Sequence, residues 1–174
     1  MNMQQLTYSK TIKMTLSALF LATGVILPQL FHVFGGAGPV FLPMHIPVFL
    51  AGILVGPLSG LMVGLLSPTL SHLVSGMPIM ALLPFMTIEL VLYGLISGLL
   101  RKRLHPLFIV ILAQLVGRCV YIVALFLLGA ILQANVPAVT SVLIAASIGV
   151  PGITIQLLLI PVLIRLVKKG GTRL

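Results

Sequence analysis

The chain has 174 residues, of which 60% are hydrophobic and only 6% charged, with ten Lys and Arg set against a single acidic residue. With a mean hydropathy of +1.29 it stands far from the ~25% charged composition of soluble domains and reads as an all-α integral membrane protein, one transmembrane domain over residues 1–174. Its net charge of +9 does not make a nucleic-acid surface, because the bases are not gathered into a soluble patch. ATP hydrolysis is excluded too: the chain has no phosphate-binding GxxxxGK loop, and one carboxylate cannot serve both as metal ligand and as catalytic base. Paired glycosidase acids, a GxSxG elbow and an HExxH motif are also missing, so the reading is of a non-enzyme with no cofactor and no metal.

The first predicted span, about 11–30, follows Lys10 and Lys13. It ends in LPQLFHVFGG without a small-residue cleavage site, and is read as a retained helix. Ala18 and Ala22 put a small-xxx-small face on it. The loop that follows, FHVFGGAGPVFLPMH, is rich in glycine and aromatic rings, a composition able to close over a small ring; Phe34, Gly35, Gly36 and Gly38 are its candidate lid residues.

The second span, about 45–56, is short and bracketed by Pro43, Pro47 and Pro57. Each proline lacks a donor and restricts its predecessor, so this segment is expected to be tilted or incomplete. Interrupted helices of this kind are tolerated when buried against neighbours. Spans three and four are placed at about 58–75 and 82–100. Gly52, Gly56, Gly60 and Gly64 recur every fourth residue, and Gly94 and Gly98 repeat the spacing. Because the first series crosses Pro57, it is not expected to form one continuous stripe.

The fourth span carries the only acid, Glu89, within LLPFMTIELVLYGLISGLL. A charge at bilayer depth costs roughly 2.5–3.5 kcal/mol or more, so it calls for a partner. Arg118 is that partner by geometry: both residues lie equally far in sequence from the middle of the basic turn RKRLHP at 101–106. An antiparallel hairpin closing there sets them at one depth, each ~16 Å from the turn. Tyr93 lies one turn from Glu89 on the same face, within reach of its carboxylate.

Spans five and six are expected at about 107–132 and 141–166, broken by QANVPAVT. Apart from Arg118, the basic residues fall into three groups: Lys10 and Lys13; Arg101, Lys102 and Arg103; and Arg165, Lys168, Lys169 and Arg173. The positive-inside tendency puts all three groups on the cytoplasmic side. The crossings between them are then even in number, giving about six spans of ~20 residues with both termini inside. The outward side then holds His32, His45, His72, Gln133 and Asn135. The histidine spacing matches no metal-ligand motif. Cys119 is solitary, expected to be buried beside Arg118, and implies no disulfide.

The AxxxA element at Ala18–Ala22, the stretch HIPVFLAGILVGPLSGLMVGLLSPTLSHL and the six-span basic-ended plan together resemble the substrate-binding S components of energy-coupling factor (ECF) vitamin transporters. The resemblance covers essentially the whole chain. It implies high-affinity binding of a vitamin or precursor near the outer face of the bacterial cytoplasmic membrane, in an ABC importer. A transmembrane coupling subunit would meet the AxxxA face, making Ala18 and Ala22 interface residues, and two cytoplasmic ATPases would supply the energy. His45, His72, Glu89, Tyr93 and Arg118 are the candidate substrate contacts. If Arg118 is neutralised by Glu89, the pocket suits a hydroxymethylpyrimidine- or pyridoxine-like ring; if it is available, pantothenate; cobalamin requires a wider opening. The alternative from another class is an autonomous small-molecule channel or facilitator.

Overall fold

A computed structural model describes residues 8–33, 38–132 and 147–171. The elements are α1 (Lys10–Val33), α2 (Gly38–Phe41), α3 (His45–Leu50), α4 (Pro57–Ser75), α5 (Leu83–Leu100), α6 (Pro106–Leu132) and α7 (Val150–Gly171), with a wider π-helical turn over Ala51–Val55 continuing α3. The described residues form no strand. Five helices, α1, α4, α5, α6 and α7, are long and apolar enough to cross a membrane. The chain is a multi-pass helical membrane protein.

The expected second span exists as His45–Val55 but is short: at 1.5 Å per residue it reaches ~16 Å, about half the ~30 Å hydrocarbon thickness. It survives because protein encloses it; Val48, Phe49 and Ala51 are fully buried. Its end is fixed by sequence. Pro57 has no N–H to extend the helix, and Gly56 turns the chain at φ 146°, where a side chain would be strained. The freed carbonyls are not orphaned, since Arg101 donates from Nη1 to the Val55 oxygen at 2.7 Å and to the Leu54 oxygen at 3.4 Å.

α5 lies at the centre, packed on α4, on α6 and on the short helix. The contact is one of backbones. A Cβ added at Gly60 or Gly94 would overlap the facing glycine's carbonyl, one at Gly64 would strike the Leu90 carbonyl, and one at Gly52 would strike Ser97 and Gly94. Although Pro57 interrupts the glycine series as expected, the pieces on either side of it converge on the same helix, α5. In lipid, where apolar contact supplies little net drive, such close approach is what van der Waals attraction and packing require.

α1 docks on α4 through small and polar residues. Ser17 donates to Ser59 at 2.9 Å, and Gln29 reaches Ser71 at 3.2 Å and Ser75 at 2.9 Å. Gly24 makes room for the Ser67 side chain.

The last long helix is described over Val150–Gly171, after a turn at Gly149; residues 141–146 of the span expected at 141–166 lie outside the described ones. One expectation needs correction. Cys119 is exposed, not buried beside Arg118, because on α6 the residue following Arg118 is rotated by ~100° onto another face.

Candidate functional site

A cavity of about 330 Å³ opens between α1, the turn leading into α3, the end of α4, the connection before α5, and the facing sides of α5 and α6. Most of its wall is apolar, supplied in part by Met44, Met77 and Met86; His45, Ser71, Glu89, Arg118 and Tyr121 supply the polar groups. Methionine suits such a wall because its flexible thioether adapts to irregular shapes.

The hairpin of α5 and α6 delivers the charged pair. Arg118 Nε stands 3.1 Å from Glu89 Oε1, and the Tyr93 hydroxyl donates to the same oxygen at 2.5 Å. Gly117 makes this possible, since a Cβ there would collide with the Tyr93 ring. Glu89 is only 4% exposed, so pairing with a cation and a hydroxyl is what makes its burial tolerable. Carboxylate and guanidinium leave the cavity with no net charge.

His45 stands opposite this pair at the start of α3. Its backbone N–H closes a turn on the Leu42 carbonyl at 3.1 Å. The side chain is 3% exposed, and among the described residues neither ring nitrogen has a hydrogen-bond partner. Its ring lies 5.4 Å from that of Tyr93, which in turn stacks on Phe49 at 5.2 Å. A buried polar group without a partner costs about 1–3 kcal/mol, and here that cost falls on a residue that lines the cavity.

The structure thus brings His45, Glu89 and Arg118 to one cavity. Tyr93 lies behind Glu89 as its hydrogen-bond donor, not on the wall. His72 is also off the wall: its Nδ1 bonds the Pro78 carbonyl at 2.7 Å, holding the segment that forms one side of the cavity. Of the candidate lid, Phe34, Gly35 and Gly36 lie outside the described residues, as do Gln133 and Asn135, while Gly38 begins α2. Ala18 and Ala22 are exposed on the side of α1 turned away from the bundle. Among the described residues no three His, Cys, Asp or Glu side chains gather to hold a metal.

Sequence reasoning missed Tyr121 and the methionines. Tyr121 carried a signal, standing one helical turn beyond Arg118 on the same face. Scattered methionines in an apolar chain carry none.

A multi-pass helical protein with a largely apolar, electrically neutral cavity fitted with a few polar groups has the form of a membrane receptor for a small solute. Comparison with protein families matches residues 12–168 to the substrate-specific component of ECF transporters, and the chain belongs to that family. It is accordingly a substrate-binding transport subunit rather than an enzyme. No curated protein and no solved structure matches the chain.

Proposed function

We propose that the cavity lined by His45, Glu89 and Arg118 is the site at which this subunit captures a vitamin or vitamin precursor from outside a bacterial cytoplasmic membrane. His45 carries the reading: it is a residue of the cavity lining, and both of its ring nitrogens are buried with no hydrogen-bond partner among the described residues. A ligand offering an acceptor and a donor would satisfy both nitrogens at once.

The size and charge of the cavity favour a neutral heteroaromatic ring of the hydroxymethylpyrimidine or pyridoxine kind. A volume of about 330 Å³ is at the small end of the ~300–1,000 Å³ of ligand sites, which suits a single ring and disfavours a corrinoid such as cobalamin. Pantothenate ranks second, since its carboxylate would have to draw Arg118 away from Glu89. His72 then acts through the Pro78 segment and Tyr93 through Glu89, both indirectly.

Uptake would be driven by partners, a transmembrane coupling subunit and two cytoplasmic ATPases, with both termini of this chain on the cytoplasmic side. The exposed Ala18 and Ala22 on α1 support a face that receives the coupling subunit, because small side chains let another helix come close.

The test is mass spectrometry of small molecules retained by the protein purified from cells grown in rich medium, followed by calorimetric titration of the compound found. Calorimetry is needed because the chain has no Trp to report by fluorescence. A protein that retains no such compound, and that gives no heat with hydroxymethylpyrimidine, pyridoxine or pantothenate, would sink the reading.

A further inference from the structure

Two buried amides stand outside the cavity wall, in the apolar faces of α6 and α7. Gln156 is fully buried and Gln114 is 9% exposed. Gln114 Nε2 donates to Gln156 Oε1 at 3.0 Å, and Gln156 Nε2 donates to the Leu42 carbonyl at 3.4 Å. The first bond dictates the second: with its oxygen held by Gln114, the Gln156 amide has only its NH₂ to turn toward Leu42.

Leu42 is an unusual residue to be held. It has φ 48° without being glycine, a left-handed conformation that costs a branched side chain of this size about 1–2 kcal/mol. Its carbonyl also receives the N–H of His45 at 3.1 Å, so one oxygen joins α7 to the turn that presents the His45 ring. One helical turn before Gln156, Gly152 lies so close to Phe41 and Val40 that a Cβ would meet the Phe41 carbonyl carbon at 2.6 Å. α7 therefore supports the backbone of residues 40–42 at two successive turns, yet contributes nothing to the cavity lining.

We propose that Gln156, oriented by Gln114, is a positioning residue for the substrate site: acting from α7 through the Leu42 carbonyl, it holds the turn that sets His45 against the cavity. This rests on the reading of that cavity as the substrate site, but the mechanical link is testable without a ligand. Loss of the Gln156 donor frees the Leu42 turn, and His45 loses its fixed direction. Gln114 acts only through Gln156, so removing both amides should do no more than removing Gln156 alone.

Hydrogen exchange of the purified, ligand-free full-length protein tests the link directly. In Gln156→Met, amides in residues 40–46 should exchange about fivefold to tenfold faster, as befits one lost hydrogen bond, while peptides from α4 and α5 keep their wild-type rates. Gln156→Asn, which keeps the amide but is too short to reach, should give the same local signature and serves if the Met variant does not fold. Gln114→Leu should give a smaller effect, and Gln114→Leu/Gln156→Met should match Gln156→Met. Unchanged exchange at 40–46, or acceleration spread evenly over all helices, overturns the proposal. Titration with hydroxymethylpyrimidine, pyridoxine and pantothenate separates the two readings. If wild type binds one of them, Gln156→Met should weaken it about tenfold, and equal affinity overturns the positioning role. If wild type binds none, the reading of the cavity fails while the exchange result still decides the link.

Discussion

Glu89 and Arg118 meet across the α5–α6 hairpin at 3.1 Å, and Tyr93 completes the arrangement by donating to the same carboxylate oxygen. The pair is at once a structural tie and a wall of the cavity. These two functions separate under mutation.

Glu89→Gln keeps an acceptor for Tyr93 but leaves Arg118 without its counter-charge. Stability should fall by about 1–3 kcal/mol, less than for a fully enclosed pair because the Arg118 side chain remains 23% exposed. Thermal unfolding in detergent measures this. Glu89→Gln/Arg118→Gln should regain much of the loss, since no lone charge remains. If the carboxylate contacts the ligand, calorimetry of either variant should also show binding weakened by ~1–3 kcal/mol. Unchanged affinity would leave the pair a purely structural tie.

His45→Phe keeps an aromatic ring near Tyr93 and removes both nitrogens. Because these nitrogens are unpartnered, the variant should be as stable as wild type or more so. Ligand affinity should nevertheless drop at least about tenfold. Loss of stability with intact binding would show that the ring is a core residue only.

Gly60→Leu or Gly94→Leu should abolish recovery of monodisperse protein, since even a Cβ at either position overlaps backbone. Gly76→Ala is the contrasting case. Nothing lies within 4 Å of a Cβ there, but the residue sits at φ +72°. The loss should therefore be only about 1 kcal/mol of backbone strain, read as a small shift in thermal midpoint.

Ala18→Leu and Ala22→Leu alter exposed positions on α1. The isolated subunit should keep its stability and ligand affinity, while co-purification with a coupling subunit and ATP-dependent uptake should be lost. Retained uptake would place the partner on another face.

Much of this arrangement was legible in the sequence, for physical reasons. A lone acid in an apolar chain needs a cation at its own depth, and the symmetry of the hairpin around RKRLHP left Arg118 as the candidate. Proline and glycine likewise announced where the second helix would stop. The role of Arg101 was hidden, because a basic residue at a membrane turn reads as a topology marker even when its guanidinium caps a helix. Gln114 and Gln156 passed unremarked for a different reason: an amide in an apolar span signals a partner only once the facing helix is known. The turn at Gly149 was not legible, because composition alone does not locate such a turn.

The glycine contact between α4 and α5 also divides the molecule mechanically. Where two helices touch backbone to backbone, no side chains lie between them to change rotamer, so neither sliding nor gradual separation is available without breaking the whole face. α4 and α5 are therefore expected to move as one body. On the proposed reading of the cavity, any movement that admits a solute would fall to the parts held on by polar contacts: α1 on its serine and glutamine bonds, the Leu42 turn on Gln156, and the Pro78 segment on His72. Each of these is fastened by bonds that can be exchanged for water or ligand one at a time.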